Sequence, residues 1–416
     1  MLTASSLTLV RGFAVAWVLP PVAFGNYAVA IGLGAFAGLL VSFGAIETSW
    51  KRFVLQWAEG EYSATVRESR KLDAKMALRV VVPTVFGTGF AVSIGFADAA
   101  LLIIAVGGFA WSAVAASAGA SFLRASVDLG PLAKATMLRT SIALIAAIAG
   151  AYLLSWPGAI IGEVVGGLFF MGYVEFRRRM MLKGLDVSTP RAEEQPENQN
   201  SHAATAAANT LMGESSGRYL FAANLLFAAP IFLDRYFVSE IFGAEAAGTY
   251  GLLVLFNMAA LTLSGIIDQR VGPQVLRMNS TGVVRKAIAI YAMKWVVLVG
   301  LVIGVSGFIA AVLVLGGPLS RFESEYALTP LLLMSAVSLA VCSGYKHLTW
   351  VLIAWNKEIA ILRVAGGYLI VTAGILGFAA LCGMPLWGYI IACAIARLSM
   401  VAALSYSIWS RLKDAL

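Results

Sequence analysis

The chain is cut by short polar breaks into apolar runs of roughly 18 to 25 residues, and most of its charge lies in the breaks. A helix rises about 1.5 Å per residue, so runs of this length match the roughly 30 Å of hydrocarbon in a bilayer. A β-barrel would show shorter segments of alternating polarity. With 60% hydrophobic and 12% charged residues, and a mean hydropathy of +0.84, no half of the chain is polar enough to form a separate soluble domain. The expected fold class is an all-α polytopic membrane protein.

Twelve spans are predicted, at roughly Leu2–Leu19, Gly25–Ile46, Ala77–Phe96, Ala99–Leu123, Leu138–Leu154, Gly158–Phe176, Tyr219–Phe242, Gly248–Ile267, Ala287–Leu315, Leu328–Ala354, Ile361–Leu381 and Leu386–Ile408. Two stretches repeat. Asp234-Arg235-Tyr236 leads an apolar run to Phe242, a turn from Gly243 to Ala247, and then Gly248-Thr249-Tyr250. Near the N-terminus, Pro20-Pro21-Val22-Ala23-Phe24 forms the turn and Gly25-Asn26-Tyr27 opens the next run. Aligning Gly25 with Gly248 brings Tyr27 onto Tyr250 and Arg11 onto Asp234, so the chain reads as two copies of one hairpin-led unit.

The copies are expected as pseudo-symmetric six-helix lobes, residues 1–182 and 217–416. Residues 183–216 form a flexible cytoplasmic linker, because Glu, Gln, Asn, Ala and Ser offer no packed face. At the common offset the first copy begins before Met1, so the first span is expected to be short, with either a start upstream or an abrupt helix beginning. Six spans per copy is even, so both copies enter the membrane from one side and are parallel repeats about the membrane normal.

Of 30 lysines and arginines, 27 fall in the loops after even-numbered spans, in the cytoplasmic parts of the adjoining helices, or at the C-terminus. Arg11 and Arg235 are mid-span and Arg321 alone lies in an opposite-side loop. Both termini are therefore expected on the cytoplasmic side. The same distribution explains the +8 net charge without a nucleic-acid partner. Cys342, Cys382 and Cys393 lie in apolar runs without metal or redox spacing, and His202 and His347 are the only histidines. No disulfide, metal site or cofactor is expected. Without a Gly-rich phosphate loop carrying lysine there is no ATP-driven engine. Without a sizeable carboxylate-bearing loop or a Ser, His, Asp grouping, a membrane-embedded glycan enzyme is the weaker alternative.

Two further patterns concern packing. Gly34 with Gly38, Gly162 with Gly166 and Gly300 with Gly304 have the spacing that lets membrane helices approach closely. Trp50, Phe53, Val54 and Trp57, with Lys51 and Arg52 between, form an apolar stripe at helical spacing. It suits either the inner headgroup layer, near anionic lipid, or a cap packed on neighbouring helices.

On these residues the chain resembles the polysaccharide flippases of the MOP superfamily, the Wzx-type translocases of O-antigen and exopolysaccharide. Leu19-Pro20-Pro21-Val22-Ala23-Phe24-Gly25-Asn26-Tyr27 is similar to that family's Leu-Gly-Pro-Glu-Glu-Phe-Gly-x-Tyr turn, without its glutamates and first glycine. Asp234-Arg235, Gly243, Gly248 and Tyr250 are similar to the seventh-helix Asp-Arg, turn and Gly-x-Tyr. The resemblance implies two six-helix lobes around a central cavity in the bacterial inner membrane. It further implies an undecaprenyl-diphosphate-type lipid-linked oligosaccharide flipped by alternating access for lipopolysaccharide or exopolysaccharide biosynthesis. The partners it implies are membrane lipid, Na+ or H+ as a coupling cation, and polysaccharide polymerase and chain-length proteins. A cation-coupled small-molecule exporter of the same superfamily is the alternative.

Arg11, Asp234 and Arg235 sit roughly 12 Å inside the hydrocarbon by helical rise. A charge at that depth costs about 2.5–3.5 kcal/mol, so each must face water, a partner or a ligand. They are candidates for a cationic passage; mutual neutralisation of Asp234 and an arginine is the structural alternative. Lys294, Lys346, His347 and Arg397 lie in the cytoplasmic halves of second-lobe helices and are candidates for the inner entrance of a diphosphate, against snorkelling to the interface. Glu163 is a candidate cation or proton site or a hydrogen-bonded interface carboxylate, and Asn224 and Asn257 read as interhelical glue.

Overall fold

A computed structural model describes residues 2–42, 44–125, 130–187, 214–255, 257, 300, 324–327, 329, 331–333, 335, 346–355 and 357–414. Among them there is no strand. The helices are α1 (Leu2–Val18), α2 (Pro21–Ser42), α3 (Ala45–Ala58), α4 (Tyr62–Ser93), α5 (Ala97–Ala125), α6 (Gly130–Val187), α7 (Glu214–Phe232), α8 (Asp234–Phe242), α9 (Ala244–Leu255), α10 (Lys346–Ala354), α11 (Glu358–Cys382) and α12 (Leu386–Asp414). Among the described residues α2, α4, α5, α6, α11 and α12 are long and apolar enough to cross a bilayer. Phe86, Leu153, Ile370 and Leu381 stand exposed on them, a surface that only a hydrocarbon solvent tolerates over such an area. The predicted span Ala287–Leu315 lies outside the described residues apart from Gly300. So do residues 188–213 of the linker, residues 258–267 of the span Gly248–Ile267, and about half of Leu328–Ala354; residues 183–187 continue α6.

The described helices fall into two compact units. One comprises residues 34–153 and 157–221. Within it the fifth and sixth predicted spans are the arms of α6, which breaks at Leu154 (φ −132°, ψ 16°) and Ser155 (φ 58°, ψ −143°) ahead of Pro157. The arms return antiparallel through small residues, Gly162 against Ala147 and Gly166 against Ala143, as the glycine spacing predicts. Gly34 and Gly38 likewise meet Phe109 and Val114 of α5.

The same unit holds a buried cluster of Phe53, Val66, Leu72, Met76, Phe122, Leu123, Leu132, Phe170 and Val174. It anchors α3 through Phe53 and through Trp57, whose ring meets Tyr62 at 5.0 Å and Phe122 at 6.4 Å, while Trp50 and Val54 stay exposed. The apolar stripe of α3 is thus divided: one side caps the helices and the other is free. Arg178 is buried against this cluster, 5.1 Å above the Phe122 ring, paired with Asp73 at 2.6 Å and bonded to Ser69 Oγ. With the Arg70–Glu175 pair at 2.6 Å, it ties α4 to α6 beyond their apolar stretches.

The other unit comprises residues 1–33, 154–156 and 222–416. Here the predicted span Tyr219–Phe242 is two helices, α7 and α8, broken at Leu233. Pro230 lies inside α7 three residues before this point, and Leu233 keeps helical dihedrals (φ −85°, ψ −15°), so the two helices meet at a kink. Gly243, at φ 91°, then reverses the chain from α8 into α9, a conformation that a side chain would oppose.

Hairpins α1–α2 and α8–α9 meet at a seam with repeat-related contacts. A Cβ on Gly25 would run into the Ala244 carbonyl, and one on Gly248 into the Pro21 carbonyl. The offset of 223 residues between Gly25 and Gly248 also separates Pro21 from Ala244. By the same offset, the contact of Gly12 with Leu255 corresponds to that of Gly32 with Arg235. Ala28 and Gly251 are repeat-related to each other and touch directly, which puts them on the pseudo-twofold axis. Each contact i to j has its image j to i, the signature of an isologous interface built inside one chain.

Candidate polar site of the hairpin unit

The kink at Leu233 makes Asp234 the first residue of α8, where a carboxylate is stabilised by the unpaired N–H groups of a helix start. Asp234 Oδ1 accepts the backbone N–H of Arg235 at 2.8 Å. Its Oδ2 accepts the hydroxyl of Tyr250 at 2.6 Å. Tyr250 stands on α9, past the Gly243 reversal, and the hairpin closes it onto Asp234. The charges of Arg235 and Arg397 both act on the Asp234 carboxylate. Arg235 reaches the Ala28 carbonyl at 3.4 Å through Nη1.

Arg397, on α12, is held by two neighbours. Its Nη1 donates to Asn257 Oδ1 at 3.0 Å and its Nε to Tyr368 Oη, on α11, at 3.3 Å. Aromatic rings enclose the group: Tyr389 lies 6.2 Å from Tyr250 and Phe227 lies 6.4 Å from Tyr368. Asp234, Arg235 and Arg397 are 3%, 6% and 2% exposed, so their mutual electrostatics are little screened by water. Two guanidiniums against one carboxylate leave an excess of one positive charge among the three.

The structure thus brings Asp234, Arg235 and Arg397 into one buried polar group and carries Arg11, half-buried, on α1 of the same unit. Glu163 is elsewhere, buried in the α4–α6 unit, where Ser112 Oγ donates to its backbone carbonyl at 3.2 Å. Lys346 and His347 lie in α10, and Lys294 lies outside the described residues. Asn257 acts as the glue its sequence position suggests. Tyr250, Tyr368 and Tyr389 are neighbours of the group that hydropathy alone does not single out.

No protein-family model matches the chain, and no curated protein matches it in sequence. Solved structures do match it in shape. An inward-facing multidrug resistance MATE family transporter of the MOP superfamily superposes with a TM-score of 0.58 at 12% identity, over 100% of this chain and 96% of that one. The Vibrio cholerae MATE transporter VcmN, in its bent form, gives 0.54 at 14% identity, over 99% and 98% of the two chains. The lipid II flippase MurJ, in an inward closed conformation, gives 0.54 at 13% identity, over 98% and 86%.

The fold is that of the MOP transporters. This is the all-α, two-lobe membrane fold expected from the sequence. Among the described residues of the hairpin unit, Asp234, Arg235 and Arg397 form a buried charged group.

Proposed function

We propose that this protein is a transporter of the MOP type that flips an undecaprenyl-diphosphate-type, lipid-linked oligosaccharide across the bacterial inner membrane by alternating access. One observation carries the reading. Two arginines and one carboxylate lie buried together in an apolar membrane unit, and their surplus positive charge suits a phosphate-bearing cargo. The shared fold with a lipid II flippase supports it. In this reading residues 1–182 and 217–416 are the lobes joined by a cytoplasmic linker, and both termini are cytoplasmic. Arg11, Asp234, Arg235 and Arg397 belong to the pathway, with Lys294, Lys346 and His347 at its inner entrance. Polysaccharide polymerase and chain-length proteins act on the product.

A second reading, a cation-coupled small-molecule exporter, is favoured by the buried Glu163 carboxylate and by the shared fold with multidrug transporters. The two part in a strain lacking the gene. The flippase reading expects surface polysaccharide to be lost and restored by the wild-type gene, and to be poorly restored by Arg397→Ala at equal membrane abundance. Normal surface polysaccharide in the deletion strain, with raised sensitivity to toxic cations, would refute it in favour of the exporter.

A further inference from the structure

The seam between the hairpins is symmetric in its backbone contacts but not in how its helix ends are satisfied. In an α-helix each carbonyl accepts the N–H four residues on, and the last carbonyls lack such donors. At the end of α8 the Ser239 carbonyl still finds one, the N–H of Gly243 at 3.0 Å. The repeat-related carbonyl at the end of α1 is that of Ala16, and the residue four further on is Pro20, which has no N–H.

Tyr326 takes that place. Its hydroxyl lies 2.7 Å from the Ala16 carbonyl and 2.8 Å from that of Leu19, and shares its one proton between them. The Tyr326 carbonyl in turn accepts the Thr249 hydroxyl of α9 at 2.7 Å, and its ring meets Phe24 of α2 edge-on at 6.0 Å. Tyr326 is 1% exposed, and the next residue, Ala327, sits at φ 46°, which a residue with a side chain adopts only where its surroundings hold it. One residue therefore bonds the end of α1 and the middle of α9.

We propose that Tyr326 is a latch that holds the α1–α2 and α8–α9 hairpins together, and that it must release for the seam to part. The latch is needed on one repeat only, because only that repeat has proline where the other has Gly243. The inference rests on the alternating-access reading, but its test does not depend on the cargo. Spin labels at the exposed, repeat-related positions Val22 and Glu245 report the hairpin separation by pulsed dipolar spectroscopy on purified protein.

Tyr326→Phe keeps the ring and removes the donor. It is expected to lower the ratio of short to long distances about fivefold, the worth of one net hydrogen bond. Thr249→Val should shift it the same way. Pro20→Ala returns an N–H to the Ala16 carbonyl and leaves the Tyr326 hydroxyl only the Leu19 carbonyl, so in that background Tyr326→Phe should change the ratio less than it does in the wild type. A distance distribution unaltered by both Tyr326→Phe and Thr249→Val, or an equal shift with and without Pro20, overturns the latch. Either result leaves the choice of cargo standing, since cargo is read from surface polysaccharide.

Discussion

Alanine placed at Gly248 tests whether the seam is a true crossing of backbones. The new Cβ would meet the Pro21 carbonyl oxygen and carbon, and neither can rotate aside as a flexible side chain would. Overpacking of this kind costs about 1–3 kcal/mol. Gly377 on α11 provides the baseline, because a Cβ there meets nothing within 4 Å and helix propensity alone then favours alanine by about 0.5–1 kcal/mol. The two substitutions should differ in sign, and Gly25→Ala should match Gly248→Ala because it drives a Cβ into the repeat-related Ala244 carbonyl. The pair should also be non-additive: once one alanine has pushed the hairpins apart, the second meets a seam already loosened, with a coupling of about 0.5 kcal/mol or more. Thermal melting of the detergent-solubilised protein reads all four variants. Melting of Gly248→Ala at or above the temperature of Gly377→Ala would refute the crossing.

Two further outcomes are expected. Asp234→Ala leaves Arg235 and Arg397 buried without their carboxylate, a loss of about 3–5 kcal/mol that should appear as low membrane abundance. Asp234→Asn, which still accepts from Tyr250, should fall less, and Arg235→Ala in the Asp234→Ala background should recover part of the loss; quantitative blotting of membrane fractions decides it. For orientation, a cysteine at Glu59, in the turn between α3 and α4, should stay unlabelled by an impermeant maleimide in intact cells, while one at Ser324 should react. Reversed labelling would invert the proposed topology.

The repeat was legible because the seam demands it. A backbone crossing on a pseudo-twofold axis needs small residues at both image positions, so Gly25 and Gly248 stand out against otherwise divergent copies. Hydropathy places Arg235 and Arg397 along their helices. It does not give the direction around the helix axis, and that direction decides whether Arg397 meets Asn257 and Tyr368 or lipid. The kink at Leu233 was missed for a related reason: the apolar run continues through it, and hydropathy does not register a change of helix axis.

Tyr326 marks a different boundary. Pro20 announces from sequence alone that the Ala16 carbonyl will want a donor, but not which distant residue supplies it. The donor comes from a segment about 300 residues away, and only the fold joins the two. Where the chain meets its image through backbone atoms, as at Gly25 and Gly248, the copies have stayed alike; where it meets through side chains, as Gly12 meets Leu255 and Gly32 meets Arg235, they have diverged. The seam can therefore keep a symmetric surface while its bonds differ on the two sides. That asymmetry is what makes one repeat dependent on Tyr326 and leaves the other self-sufficient.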